Sequence, residues 1–318
     1  ELKKALEEIG IAYFVFDGIT GEPTNVMIDE GIAAYKENGC DFCIGIGGGS
    51  PLDSAKAIAA MITNEGKIAD YNGKVIEKPI PPVVAIPTTA GTGSEATQFT
   101  VITDVEKDIK MLLKGGYLVP KIAIVDPAYT YSAPKSITAA TGMDALTHAI
   151  EAYTSRKALP VTDTLAVSAV KRIMKYLPAA YKDGSDEKAR YEMSVASYEA
   201  GICINNSTVT LVHGMSRPIG ALFHVAHGIS NAMLLTKCLA FALDGAYEKF
   251  ANLGREIGAA TAEDDDKTAS GKFIEALNEI CKICEIPTLL EYGIPKDEFF
   301  AHMEKMAHDA LTSGSPGN

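Results

Sequence analysis

The feature that most constrains the fold is a pair of almost wholly apolar segments, each followed at once by a turn rich in small residues. The first, at 41–47, leads through three glycines into a helical pattern. The second, at 82–87, leads into a turn of threonine, glycine and serine at 88–94. A strand that is apolar on both faces is typical of a parallel sheet covered by helices on both sides. Strands and helices that alternate in this way predict a doubly wound α/β domain.

The remaining patterns divide the chain into two predicted domains. The segments at 11–17 and 121–126 are also predicted to be strands, and helical patterns fall at 1–9 and 26–38. Beyond about Pro134 the strand pattern ends, and helical periodicity predicts helices at 137–154, 162–181, 186–204, 207–216, 230–258, 268–284 and 296–311. We therefore predict an α/β domain over 1–134 and an all-helical domain over 135–318.

The two small-residue turns are candidate nucleotide sites. In the first, Ser50 is predicted to cap the following helix, with Asp53 completing the capping pattern. Such a turn presents backbone N–H groups at the positive end of a helix dipole, where a pyrophosphate binds. The alternative is a tight turn without a ligand. Because ligands bind open α/β sheets at the carboxyl ends of the strands, two such turns at one edge favour a nucleotide site.

Asp144 and the histidines of two separate segments form a candidate metal site. Asp144 and His148 are four residues apart, so a helix would place them on one face. His213, His224 and His227 follow in a later stretch, and spacing does not decide which of the last two reaches the site. The alternatives are a solvated helix face and histidines that belong to the core. Carboxylate and imidazole ligands suit Fe²⁺ or Zn²⁺, and such a Lewis acid beside a nucleotide suggests hydride transfer to or from nicotinamide.

The balance of charge excludes several kinds of partner. The formal net charge of −12 argues against nucleic acid, because phosphate binding requires clustered lysine and arginine. The sequence shows neither a long apolar run nor a signal-peptide pattern, so we expect no membrane association and a cytoplasmic location.

The C-x-x-C pairs Cys40/Cys43 and Cys281/Cys284 are interpreted as buried thiols. Both ends of the chain adjoin helical patterns, so we expect further residues of each domain beyond them.

Four stretches together resemble the signature segments of the iron-containing alcohol dehydrogenase family. They are GGGSPLDSAKAIA (47–59), AIPTTAGTGSEAT (85–97), AATGMDALTHAIEAY (139–153) and HGMSRPIGALFHVAHGISNAMLL (213–235). Their order and spacing are similar to those of the family over nearly the whole chain. The resemblance implies a two-domain fold like that of dehydroquinate synthase, with the active site in the cleft between the domains.

The resemblance also implies individual site residues. The implied metal ligands are Asp144, His148, His213 and His227. The implied contacts to the pyrophosphate are Gly48, Gly49 and Ser50. Further contacts along the nucleotide are implied at Thr88, Thr89 and Thr92, with Lys110 near the nicotinamide. We add Asp53, from the first turn, to the residues predicted at the cofactor.

The chain departs from the family pattern at one position near the metal ligands. Family members often carry a second histidine four residues after the one that matches His213, and Arg217 stands there. If that histidine relays protons, His224 is the candidate to replace it. The residues predicted to act in catalysis are accordingly His224, His227 and Arg217. Arg217 is also interpreted as favouring a substrate with a carboxylate, and the alternative is an arginine paired with a nearby carboxylate.

The resulting prediction is a metal-dependent, NAD(P)-linked alcohol dehydrogenase or aldehyde reductase that acts on small primary alcohols. NAD and NADP both stay open, because the family's first strand and the acidic residue that contacts the ribose would precede Glu1. One alternative is a polyol dehydrogenase or a lyase on the same fold. Another is a non-catalytic nucleotide-binding or assembly module. A homodimer or higher homo-oligomer is expected from the resemblance alone.

Overall fold

The computed structural model describes residues 2–107 and 109–312, and the chain divides into two compact units. The N-terminal unit comprises the chain up to Pro87 together with Thr97–Ile124. The C-terminal unit comprises Thr88–Ala96 and the chain from Val125 onward.

The N-terminal unit contains a three-stranded parallel sheet and a separate β-hairpin. Its strands are β1 (Cys43–Gly47), β2 (Val83–Pro87), β3 (Phe99–Asp104), β4 (Ile109–Lys114) and β5 (Ile122–Ala123). The parallel sheet has the order β1-β2-β5, with Cys43 opposite Val83. β3 and β4 pair in antiparallel fashion, with Phe99 opposite Lys114. The apolar segments predicted at 41–47 and 82–87 are therefore neighbouring parallel strands, as expected.

The α-helices in the described part of this unit are α1 (Leu2–Glu8), α2 (Asn25–Glu37) and α3 (Gly49–Thr63). α2 begins where the hydroxyl of Thr24 accepts the N–H of Met27 at 3.3 Å, which satisfies one backbone donor of its first turn. α3 follows β1 directly and is largely buried, and its alanines are among the buried residues. Within it, the ammonium group of Lys56 is fully buried and donates to the carbonyl of Phe99 at 2.8 Å. This bond ties α3 to β3.

Three features of this unit differ from the predictions. The strand predicted at 11–17 is wrong: none of the described residues pairs with it, and a strand needs a neighbour for its N–H and C=O groups. The strand predicted at 121–126 contracts to β5, because only Ile122 and Ala123 pair with β2. The hairpin of β3 and β4 was not predicted, because charged residues at 104–110 interrupt its alternating pattern.

The C-terminal unit is predominantly helical in its described part. Its helices are α4 (Lys135–Thr154), α5 (Pro160–Lys182), α6 (Glu187–Asn206), α7 (Leu211–Phe223), α8 (His227–Ala242), α9 (Tyr247–Glu256), α10 (Asp266–Ile283), α11 (Lys296–Ala301) and α12 (Met303–Thr312). α4 packs against α5, α6 and α8, and every residue of 142–154 is buried. α4 is thus the central helix of this core, and its polar side chains lie inside the protein.

The loop Thr88–Ala96 belongs to the C-terminal unit because it packs closely on α6. Gly93 has a positive φ of 62° and lies against Gly201: a Cβ added to Gly93 would be 2.5 Å from the Cα of Gly201. Glycine at both positions is therefore required for this approach. The division into units differs from the predicted boundary at 134 in two ways. The prediction assigned this loop to the first domain, and in the structure the chain passes finally into the C-terminal unit after Ile124.

Most predicted helices of this unit are present, with different ends. The pattern at 230–258 corresponds to two helices, α8 and α9, separated by a 3-10 turn at Leu243–Gly245. The helix predicted at 207–216 instead begins at Leu211 and continues to Phe223. The helix predicted at 296–311 is interrupted at His302. Across the part of the chain that the structure describes, no helix is long and apolar enough to cross a membrane.

Candidate metal centre

α4 carries two of the predicted ligands on one buried face. Asp144 and His148 are only 2 % and 5 % exposed, and their four-residue spacing brings Asp144 Oδ1 to 3.9 Å from His148 Nε2. The helix is buried because its other side chains are apolar or small, including Met143, Leu146 and Ile150 in the core. A carboxylate and an imidazole are thereby held inside the protein, where each needs a polar partner.

α7 and α8 bring the other two predicted ligands to the same place. His213 lies in the first turn of α7, and its Nε2 is 3.8 Å from Asp144 Oδ1. His227 is the first residue of α8, and its Nε2 is 3.6 Å from the same oxygen. The rings of His148 and His213 stack with their centroids 4.7 Å apart. The side chain of His227 is 46 % exposed, so solvent reaches the cluster on its side.

The donor atoms of these four residues fit one divalent cation. They all lie within 4.8 Å of one another, and three imidazole nitrogens surround Asp144 Oδ1 at 3.6–3.9 Å. A tetrahedral cation with bonds of about 2.0–2.2 Å would separate its ligand atoms by roughly 3.3–3.6 Å. The observed spacing is slightly wider, and Nδ2 of Asn231 lies 2.7–3.2 Å from three of these donor atoms, so cation binding involves movement of this amide as well as of the ligands. One carboxylate and three imidazoles, without a thiolate, suit Fe²⁺ or Zn²⁺.

The pKa shifts in the cluster favour the protonation states that bind a metal. Burial raises the pKa of Asp144, but the neighbouring imidazoles and a hydrogen bond from Asn231 outweigh this, so the pKa lies below its usual value. Burial, together with the charges of His148 and His227, holds the pKa of His213 well below its usual value. At neutral pH the carboxylate is therefore ionised and this imidazole is neutral, as metal ligands must be.

Two further residues contact the cluster, and sequence reasoning missed both. Glu151 lies seven residues after Asp144 on α4, and its Oε2 is 2.5 Å from Nδ1 of His213. Asn231 lies four residues after His227 on α8, and its Nδ2 donates to Asp144 Oδ1 at 2.7 Å. Spacings of seven and four residues place each of them on the ligand-bearing face of its helix. This spacing is the sequence pattern from which both residues could have been predicted.

His224 and Arg217 occupy different surroundings from the four clustered residues. His224 ends α7 in the left-handed conformation, with φ of 52°, and is not a member of the cluster formed by the described residues. Arg217 lies one turn after His213 on α7. Burial lowers the pKa of its guanidinium, and the carboxylate of Glu151 opposes that change. This electrostatic effect is compatible with the alternative interpretation of Arg217, in which it is paired with a nearby carboxylate. The catalytic roles assigned to these residues stay predictions.

The glycine-rich turn begins α3 in the N-terminal unit. The helix starts at Gly49 with Gly48 as its N-cap, so the prediction that Ser50 caps it is wrong. Ser50 already lies in the first helical turn, beyond the capping position. Gly47 has φ of 146°, and a Cβ there would lie 2.6 Å from the ring of Pro51. Among the described residues no side chain caps this helix, so the backbone at Gly48, Gly49 and Ser50 is suited to an anion.

Asp53 and Lys110 make defined contacts within the N-terminal unit. Asp53 Oδ2 accepts the N–H of Val101 at 2.8 Å, and this bond joins α3 to β3. Lys110 on β4 forms an ion pair with Glu22 at 2.7 Å. These contacts do not test nucleotide binding, so both cofactor assignments stay predictions.

The threonines predicted at the nucleotide lie in the loop Thr88–Ala96 of the C-terminal unit. The hydroxyl of Thr92 accepts the N–H of Ser94 at 3.3 Å. Thr89 lines a small cavity with Thr141 and Arg190, about 10 Å³ in volume, which is enough for one water molecule. Thr88 is the first residue of the loop, directly after β2. The positions are compatible with a ligand-binding loop, and the role stays a prediction.

Comparisons with known proteins agree on one family. The profile described as "Iron-containing alcohol dehydrogenase" matches residues 1–127. The profile described as "Fe-containing alcohol dehydrogenase family, C-terminal" matches residues 138–318. Together the two profiles cover nearly the whole chain.

Individual relatives are similar over almost the full length of the chain. The NAD-dependent methanol dehydrogenase of Bacillus methanolicus is 39 % identical over 99 % of this chain and 84 % of that protein. The 1,3-propanediol dehydrogenase of Klebsiella pneumoniae is 38 % identical over 95 % of this chain and 78 % of that protein. A crystal structure of 1,3-propanediol oxidoreductase superposes with a TM-score of 0.94 at 36 % identity, covering 98 % of this chain and 81 % of that chain. The predicted resemblance is confirmed: the chain belongs to the iron-containing alcohol dehydrogenase family.

Proposed function

We propose that the chain is a metal-dependent, nicotinamide-linked alcohol dehydrogenase or aldehyde reductase that acts on small primary alcohols. The observation that carries this proposal is the meeting of four donor atoms from three helices, on Asp144, His148, His213 and His227. Family membership supports the reaction class. The names of two relatives, a methanol dehydrogenase and a 1,3-propanediol dehydrogenase, support small primary alcohols as the substrate class.

In this proposal the four clustered side chains hold Fe²⁺, with Zn²⁺ as the alternative. A bound divalent cation supplies Lewis-acid chemistry, which polarises a substrate oxygen and favours hydride transfer at the adjacent carbon. The chain contributes a buried carboxylate that is ionised, and imidazoles on rigid helices that keep their ring nitrogens turned inward. The accessible side chain of His227 marks the side from which a small alcohol approaches.

The proposed cofactor is NAD, with NADP as the alternative. The uncapped start of α3, at Gly48, Gly49 and Ser50, would hold the pyrophosphate through backbone N–H groups. The hydroxyls of Thr88, Thr89 and Thr92 would contact the nucleotide, and Lys110 would lie at the nicotinamide end. The methanol dehydrogenase relative is named as NAD-dependent, which supports NAD. A homo-oligomeric state and a cytoplasmic location stay predictions.

The substrate contacts proposed for this chain are those of His224 and Arg217. Neither residue belongs to the four-residue cluster, and each is attached to α7, the helix that carries His213. His224 would relay the hydroxyl proton to solvent. The partly buried cationic group of Arg217 would favour substrates that carry a carboxylate.

Oxidation of primary alcohols tests the proposal. The metal-stripped chain, before and after loading with Fe²⁺ in the absence of oxygen, is assayed for formation of reduced nicotinamide with short straight-chain alcohols and with a carboxylated analogue. We expect activity only in the loaded protein, and a large loss of activity in Asp144→Asn because one charged ligand is missing. Asp265→Asn is the matched control, since asparagine caps α10 as well as aspartate does.

Two results would contradict the proposal. The first is activity that persists in the stripped chain, which would remove the metal from the reaction. The second is equal activity of Asp144→Asn and Asp265→Asn. Nucleotide binding without turnover of any alcohol, in a chain that does bind Fe²⁺, would favour the non-catalytic module instead.

A further inference from the structure

Glu151 is a fully buried carboxylate that belongs to none of the predicted ligand sets. It is 0 % exposed and lies on the same face of α4 as Asp144 and His148. A buried carboxylate is costly unless its oxygens accept hydrogen bonds or meet a charge. The hydrogen-bond partners of Glu151 therefore indicate its role.

Three donors from the start of α7 converge on this carboxylate. The hydroxyl of Thr210 and the backbone N–H of Val212 donate to Oε1 at 2.9 Å and 2.6 Å. The third donor is Nδ1 of His213, at 2.5 Å from Oε2. The carboxylate therefore contacts His213 and two of the three residues that precede it. No part of it faces solvent, so its contacts are with the protein alone.

The contact determines which nitrogen of His213 can bind a metal. The amide nitrogen Nδ2 of Asn231 lies 3.1 Å from Nε2 of His213 and can only donate, so Nε2 is the acceptor and the ring proton lies on Nδ1, which faces Glu151. Nε2 then carries the lone pair, and it is this atom that faces Asp144 Oδ1 at 3.8 Å. The ring is thus held with its ligating nitrogen turned towards the other three donors. A carboxylate behind a metal-bound histidine also increases the basicity of that ligand.

We infer that Glu151 is a positioning residue of the metal centre, which fixes the tautomer and the orientation of His213. The inference rests on the proposed metal centre. α4 then supplies two ligands directly and orients a third, which is carried by α7.

The expected consequence of replacing the carboxyl group of Glu151 is a weaker and altered metal site. Glu151→Gln keeps the volume of the side chain but turns an amide N–H₂ group towards one of the three donors. Loss of such a supporting contact costs about 10–100-fold in metal affinity. Thr154→Val is the matched control: its buried hydroxyl donates to the carbonyl of Ile150 on the same helix, away from the four donors.

The test is an oxygen-free titration of the full, metal-stripped chain with Co²⁺, which reports the dissociation constant and, through its visible absorption, the ligand geometry. We expect Glu151→Gln to raise the dissociation constant about 10–100-fold and to change the spectrum, and Thr154→Val to change neither. An unchanged constant and spectrum in Glu151→Gln would overturn the inference. A wild-type chain that binds no Co²⁺ would instead refute the metal centre itself.

A second variant covers the case in which Glu151→Gln does not fold, as judged by circular dichroism. Thr210→Val removes one donor from the carboxylate but leaves its contact with His213 in place. The freed oxygen allows the carboxylate to move, so we expect the dissociation constant to rise by less than about tenfold, with a shifted spectrum. Wild-type affinity together with a wild-type spectrum in Thr210→Val would then overturn the inference.

Discussion

The contact between two glycines gives a quantitative prediction for the loop that carries the proposed nucleotide threonines. Gly201 lies in the interior of α6, where alanine is ordinarily favoured over glycine by about 0.8–1.0 kcal/mol. A Cβ on Gly201 would lie 2.8 Å from the Cα and 2.9 Å from the carbonyl oxygen of Gly93. Both atoms belong to the backbone, so the loop or the helix must move. Overpacking of this kind costs about 1–3 kcal/mol, and two backbone contacts place it near the upper end.

Gly271 provides the matched control, because it also lies inside a helix, α10, and a Cβ there would meet no atom within 4 Å. Gly271→Ala should therefore gain the intrinsic preference of about 1 kcal/mol. Gly201→Ala gains the same amount but loses about 3 kcal/mol to the clash, for a net loss of about 2 kcal/mol. The difference between the two variants, about 3 kcal/mol, isolates the cost of the close approach.

Thermal unfolding followed by circular dichroism measures this difference, since the chain has no tryptophan for fluorescence. At about 2–4 °C per kcal/mol, Gly271→Ala should raise Tm by about 2–4 °C and Gly201→Ala should lower it by about 4–8 °C. Weaker NAD binding should accompany the second change, because the displaced loop carries Thr88, Thr89 and Thr92. A Tm for Gly201→Ala equal to or above that of Gly271→Ala would refute the reasoning.

Three other predictions concern single side chains. Asparagine tolerates the left-handed backbone at φ 52° but cannot carry the proton, so His224→Asn should leave Tm unchanged and lower kcat. An unchanged kcat would reject the relay role. Hydrogen bonds from Lys272 and Thr261 lower the pKa of Asp264 from 3.8, the value expected in the unfolded chain, to about 2. The stability that these bonds give the folded chain is therefore complete above about pH 4 and is lost as the pH falls from about 4 to 2. Asp264→Asn should abolish that part of the acid-unfolding curve, and an identical curve would contradict the assignment. Burial raises the pKa of Cys43 and Cys203 to about 12, so both thiols stay protonated at pH 8. Because only the thiolate reacts, iodoacetamide at pH 8 should label them only after denaturation. Rapid labelling of the folded chain would contradict this expectation.

The strands that could be predicted from sequence are those whose side chains are almost all apolar, although Ile46 of β1 is 42 % exposed. β1 and β2 carry continuous apolar runs, and their pairing follows from the parallel arrangement. The segment at 11–17 has an equally strong pattern but forms no strand, because a strand also depends on a neighbour that local sequence does not specify. The assignment of Thr88–Ala96 to the C-terminal unit was unpredictable for a similar reason. It depends on Gly93 meeting Gly201, two residues far apart in the chain.

The candidate site was predictable where helix spacing alone places side chains together. Asp144 and His148 meet because four residues make about one turn of α4. The choice between His224 and His227 depends on the left-handed residue that ends α7 and turns the chain into α8, which spacing does not reveal. Glu151 was missed because a glutamate on a helix is usually exposed. Its burial depends on how α4 packs against the rest of the core.

The most direct test of the central claim is an oxygen-free calorimetric titration of the metal-stripped chain with Fe²⁺, compared with Asp144→Ala. Asp144 Oδ1 lies within 3.6–3.9 Å of all three imidazole nitrogens, so its removal affects the whole cluster. We predict one tight site per chain in the wild type. A four-ligand site of about 10–16 kcal/mol should lose roughly a quarter of that in the variant, or on the order of 100-fold in affinity. Equal affinity in both proteins, or no tight site in the wild type, would contradict the claim that these four residues form a metal centre.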